Sequence, residues 1–153
     1  VTLVGETADL NAGQAIDRAG VMMGLSFPCG KEMEALAKTY VGKLPKPRIC
    51  VRDGKCNLSG LQNIAKKLWE ESGDRACVSA YVLSFIGATL CEMTAQLDAK
   101  FPSLPIVYAG GVMSNRYLQG VLGKRQDTYF AEPQFSTDNA MGVAVLAHRI
   151  TEA

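Results

Sequence analysis

Ile106-Val107-Tyr108-Ala109-Gly110-Gly111-Val112-Met113-Ser114-Asn115-Arg116 is the stretch on which the reading of this fold turns. An apolar run rich in β-branched residues meets paired glycines, and a helical pattern over Asn115 to Lys124 follows. Downstream come a strand at Thr128 to Phe130, a break at Glu132-Pro133, and a closing helix from Thr137 or Asp138 to about Arg149. Strand, turn and helix in alternation predict an α/β fold with a mostly parallel sheet.

Working back from that stretch, Arg75 to Lys100 reads as the longest helix. Its Val78, Tyr81, Val82, Phe85, Ile86, Leu90, Met93 and Leu97 give an apolar face wide enough for a buried central position. Ser59 to Glu71 precedes it as a helix stopped by Ser72-Gly73-Asp74. A hairpin is expected around Asp53-Gly54, with arms at Ile49 to Val51 and Lys55 to Leu58. Further upstream, Lys31 to Tyr40 and Ala12 to Met23 read as helices. They are joined by a turn at Phe27-Pro28-Cys29-Gly30, with Asp9 or Asn11 as cap and Gly24 as left-handed stop. Thr2 to Val4 reads as a short strand. Since it opens in mid-strand and without an initiator Met, the chain is expected to be part of something longer. No repeat or linker interrupts it, so one compact domain is predicted.

Composition narrows the class. The 153 residues are 48% hydrophobic and 20% charged, with Lys+Arg 16 against Asp+Glu 15. Such a chain buries a core without staples, and a net charge of +1 excludes a strongly basic nucleic-acid binder and an acidic disordered segment. Five widely spread cysteines without a Cys-x-x-Cys pair point to a reducing compartment and give no local support for structural zinc. No signal-peptide pattern opens the chain, and Ala80 to Leu90 is too short an apolar run to span a bilayer. Cytoplasm is the expected location, with no membrane contact.

Three places suit chemistry, each with a plain structural alternative. Gly110-Gly111 ahead of a helix suits a ligand at the carboxyl end of a strand, or only a tight turn with Ser114 or Asn115 as cap. Pro133 to Ala140 offers Asp138 as a metal ligand, or Thr137 and Asp138 as caps. Asp17 faces away from the apolar side of its helix, and Gly20 in the interior implies close packing or close ligand approach, or the two are only a solvated Asp and a tolerated Gly. Lys43, Lys46, Arg48, Arg52 and Lys55 form a basic stretch that suits phosphates, or RNA with Tyr40 nearby, or else is a solvated hairpin. His148 reads as a partner of its helix C-terminus, and hydrolase machinery is not evident.

Six ordered blocks tie these places together. They are Gly5-Glu6-Thr7, Ala12-Gly13-Gln14-Ala15-Ile16-Asp17, Pro28-Cys29-Gly30, Asn57-Leu58-Ser59-Gly60-Leu61, Ala109-Gly110-Gly111-Val112 with Asn115-Arg116, and Ser136-Thr137-Asp138-Asn139. Their order resembles the C-terminal part of the TsaD family, formerly called O-sialoglycoprotein endopeptidase or glycoprotease. The resemblance implies an actin-like ATPase lobe, ribonuclease H-like, with a mixed, mostly parallel sheet and helices on both faces. Residues 1–153 would be the C-terminal lobe, and the N-terminal lobe would be absent from this chain.

The family transfers threonylcarbamoyl to an adenosine of tRNA, so the resemblance implies ATP or threonylcarbamoyl-adenylate as ligand. It implies nucleotide contacts from Asp17, Gly30, Glu34, Gly110, Gly111 and Asn115, with Asp138 as the one iron or zinc ligand from this half. Implied partners are the missing lobe, TsaB-like and other tRNA-modification subunits, and tRNA. Three departures stand out. The His-x-x-x-His metal motif is missing, Cys29 replaces a glycine and is expected to add bulk where nucleotide approaches, and Ser136 stands where Cys is commoner. The chain alone is therefore expected to be inactive. The alternative is a non-catalytic actin-like paralogue acting as scaffold or regulator. A small-molecule kinase fits less well, and a metalloprotease lacks its motif.

Overall fold

A computed structural model describes residues 2–136 and 140–151. The elements run β1 (Glu6–Thr7), α1 (Ala12–Met22), α2 (Gly30–Thr39), β2 (Cys50–Arg52), β3 (Lys55–Asn57), α3 (Ser59–Ser72) and α4 (Arg75–Lys100). Then follow β4 (Ile106–Tyr108), a 3₁₀ turn (Gly111–Ser114), α5 (Arg116–Leu122), β5 (Thr128–Phe130), α6 (Pro133–Ser136) and α7 (Ala140–Thr151).

Helix α4 organises the molecule. Asp74 caps it, its carboxylate accepting from the amides of Ala76 at 2.8 Å and Cys77 at 3.2 Å. Val78, Tyr81, Val82, Leu83, Phe85 and Ile86 are buried, and α1, α2, α3 and α5 pack around the helix. By length and composition this helix could cross a bilayer, but more than half of its most apolar window is buried inside the fold, as befits a core helix. The apolar run is thus longer than Ala80 to Leu90, and packing accounts for it.

The sheet differs from expectation. Two small sheets form among the described residues where a single mostly parallel one was predicted. In the first, ordered β1-β3-β2, Glu6 and Thr7 pair parallel to Lys55 and Cys56, while β2 and β3 make the expected hairpin, Val51 opposite Cys56. Asp53 at φ 50° and Gly54 at φ 78° supply the left-handed turn this hairpin needs. In the second, β4 and β5 run parallel, Val107 opposite Tyr129. The strand expected at Thr2 to Val4 is not formed; β1 lies beyond Gly5, which sits against the Gly54 carbonyl, and pairing starts with the Glu6 amide on that carbonyl at 3.1 Å.

Of the two caps expected for α1, Asn11 takes the position and forms a capping box with Gln14. Asp9 reaches across to the start of α3, where it accepts from the amides of Leu58 at 2.8 Å and Ser59 at 3.0 Å. Pro133 does not merely end a strand: it occupies the first position of α6, where its missing N–H costs nothing. The start of the closing helix, with the expected caps Thr137 and Asp138, lies outside the described residues.

Candidate functional site

The first turn of α2 and the loop after β4 face each other across one side of α1, and a cleft of about 900 Å³ lies between them. From α1 come Gly13, Ile16 and Asp17; from α2 and the turn before it, Pro28, Gly30, Lys31 and Glu34; from the loop and the start of α5, Gly111, Val112, Ser114, Asn115 and Arg116. Five residues expected at a site from sequence alone, Asp17, Gly30, Glu34, Gly111 and Asn115, therefore share one cavity. Gly110 is not in its wall. At φ 104° and ψ 158° it holds a conformation only glycine adopts readily, and so aims the loop.

Each polar side chain divides its work between fold and cleft. Asp17 accepts the Cys29 amide through Oδ1 at 2.8 Å, pinning the turn ahead of α2, and its Oδ2 has no hydrogen bond among the described residues. Asn115 caps α5, Oδ1 accepting from the Leu118 amide at 3.1 Å, and its Nδ2 is uncommitted among the described residues. Asn115 thus serves as the expected cap while also lining the cleft. Glu34 accepts from Lys38 Nζ at 2.7 Å and from the Arg116 amide at 3.4 Å, linking α2 to the start of α5.

Gly30 opens α2, and a Cβ there would meet nothing within 4 Å, so a side chain would project into free space at the cleft wall. Gly20 has the opposite role. A Cβ would collide with the Cβ of Cys29 and lie 2.5 Å from its Sγ, so close packing, not ligand approach, explains that glycine. Cys29 itself is fully buried, its thiol 3.6 Å from the Asp17 carbonyl, and it does not line the cleft. The expected bulk at the nucleotide approach is therefore directed into the core. Burial, with help from the Asp17 and Glu32 charges, raises the thiol's pKa and keeps it protonated.

Sequence reasoning missed Lys31, Arg116 and Ser114 as cleft residues. Neither Lys31 nor the Arg116 guanidinium has an ion pair among the described residues, and Ser114 Oγ is buried there without a hydrogen-bond partner. Arg116 directly follows Asn115 in a block already singled out; Lys31 carries no local signal. Two carboxylates, two cations, an amide and an open glycine form a site that suits a ligand bearing both hydroxyls and negative charge. Asp138 lies outside the described residues, and among the described ones no three His, Cys, Asp or Glu side chains cluster as a metal would require.

A family model described as tRNA N6-adenosine threonylcarbamoyltransferase, TsaD, matches residues 1–145. Proteins of that name from Syntrophomonas wolfei and Rickettsia rickettsii are 31% and 32% identical, over 95% and 93% of this chain and 47% of each relative. The relative of that name from Aromatoleum aromaticum is 30% identical over 93% of this chain and 45% of its own length. The chain spans about half the length of the curated relatives it matches.

Proposed function

Because this chain belongs to the TsaD family, we propose that it is the nucleotide-binding C-terminal lobe of a tRNA threonylcarbamoyladenosine transferase, of actin-like fold. The observation that carries the reading is the open position at Gly30, beside an uncommitted Asp17 Oδ2 and Asn115 Nδ2. A carboxylate oxygen accepts from ribose hydroxyls, the amide donates to a nucleotide acceptor, and Lys31 and Arg116 offset phosphate charge. ATP or threonylcarbamoyl-adenylate is the ligand class, and positioning with electrostatics is the contribution of this half.

Under this proposal the transfer needs an N-terminal lobe like that of the relatives, together with tRNA and TsaB-like subunits, in the cytoplasm. Iron or zinc at Asp138 belongs to the same proposal, and the positioning chemistry of the cleft does not depend on it. Cys29, expected to add bulk where nucleotide approaches, faces the core instead.

Thermal-shift titration with ATP tests the reading, on the chain alone and mixed with the N-terminal half of a relative. Binding to the folded state raises stability by about 2.7 kcal/mol at a hundredfold excess over Kd. We expect a small shift alone, a larger one in the mixture, and loss of both in Gly30→Leu, whose own melting temperature stays near wild type. No ATP-dependent shift in either sample, or a shift that survives Gly30→Leu, would reject it.

A further inference from the structure

Positive charge is concentrated in one short segment. Residues 43–55 hold Lys43, Lys46, Arg48, Arg52 and Lys55 with a single acid, Asp53, leaving eleven basic against fourteen acidic residues elsewhere. All five cations are exposed. Lys55 pairs with Glu6 at 3.3 Å, and among the described residues the other four meet no carboxylate at ion-pair distance.

Three of these cations, Lys46, Arg48 and Arg52, share one alternation of exposure. From 46 to 52 burial alternates strictly: Pro47, Ile49 and Val51 are half-buried, while Lys46, Arg48, Cys50 and Arg52 are exposed. Leu44, Ile49 and Val51 pack on the core. Gln96 of α4 holds the hairpin, donating to the Val51 carbonyl at 3.3 Å and accepting from the Gly54 amide at 3.2 Å. Alternate residues of an extended chain stand about 6.6 Å apart on one side. Charge on an edge strand such as β2 also deters strand pairing. Lys43 and Lys46 precede the strand, however, where there is no edge to guard.

We propose that the segment from Lys43 to Lys55 binds the phosphate backbone of RNA. This rests on the tRNA substrate class of the preceding proposal but not on occupation of its cleft. The cleft lies at the first turn of α2, a ten-residue helix about 15 Å long, and the segment follows the other end of that helix in sequence. Backbone contacts away from the cleft position the RNA and leave base recognition to the cleft side.

The test is fluorescence anisotropy of a labelled RNA stem-loop with an unpaired adenosine in its loop, without ATP, over a range of salt. Wild type is compared with K46Q/R48Q/R52Q and with K66Q/K67Q/K100Q, which removes equal charge elsewhere. Three lost phosphate contacts reduce the slope of log K against log salt by about 2–3. Binding of the first triple at low salt is expected to fall at least tenfold, with melting temperature and any ATP shift unchanged, while the second triple stays near wild type. Failure of wild type to bind RNA, an unchanged slope in the first triple, or an equal loss in the second would overturn the proposal. So would a first triple that loses binding to phosphatidylserine vesicles while its RNA binding is intact. Absence of an ATP shift in all variants, with RNA loss confined to the first triple, sinks the nucleotide reading and leaves this one standing.

Discussion

Gly20→Ala should destabilise this protein although alanine is the better helix residue, and the sign should reverse once Cys29 is glycine. Alanine inside α1 gains about 0.8–1 kcal/mol over glycine. Against that, the new methyl would overlap Cys29 Cβ and sit 2.5 Å from Sγ, so it must displace the turn that the Asp17 carboxylate anchors. Overpacking of this kind costs about 1–3 kcal/mol, leaving a net loss of about 1 kcal/mol and a melting temperature lower by about 2–4 °C. In Cys29→Gly, itself weakened by the emptied space, the remaining close neighbour is the flexible Met33 Sδ at 3.3 Å. There the helix gain should survive and Gly20→Ala should stabilise. The coupling energy from the four proteins, measured by urea unfolding, should be about 2 kcal/mol. Equal effects of Gly20→Ala in both backgrounds would refute the packing account of this glycine.

Asn115→Asp should keep the α5 cap and unfold near wild type, whereas Asn115→Ala should lose about 1 kcal/mol in chemical denaturation; both should lose ATP stabilisation if Nδ2 is the ligand contact. Asp9 gives a pH prediction. Burial pushes its pKa up, but hydrogen bonds from Ser59, Leu58 and Leu10 outweigh this and hold it well below the usual carboxylate range. Its stabilisation is therefore complete above the unfolded pKa, near 3.9, and disappears as pH falls through the lower folded value. Asp9→Asn should make acid unfolding below about pH 4 shallower, and an unaltered acid limb would count against the assignment. Arg125 donates to Asp98 at 2.7 and 2.8 Å and to the Leu104 carbonyl at 2.8 Å, tying α4 to the chain entering β4. Arg125→Met should lower the midpoint of urea unfolding, and no change in midpoint would show the tie to be solvated away.

Features that depend on neighbours in sequence were legible without coordinates. The bounds of α4, the hairpin at Asp53-Gly54 and the strand–glycine–helix run at 106–116 follow from periodicity and turn chemistry, which act over a few residues. The family resemblance implied nucleotide contacts from Asp17, Gly30, Glu34, Gly111 and Asn115, and all five line one cleft. What stayed hidden depends on which distant segment a side chain meets. Asp9 accepts its neighbour's amide at Leu10 and, beyond it, the amides at the start of α3, 49 and 50 residues away. Cys29 read as an obstruction until its thiol was seen to fill the space that Gly20 leaves empty. Lys31 and Arg116 became cleft residues only because α2 and α5 meet through Glu34. A short-range pattern states which hydrogen bonds and faces a segment can offer; the partner that accepts the offer is chosen when the core closes around α4.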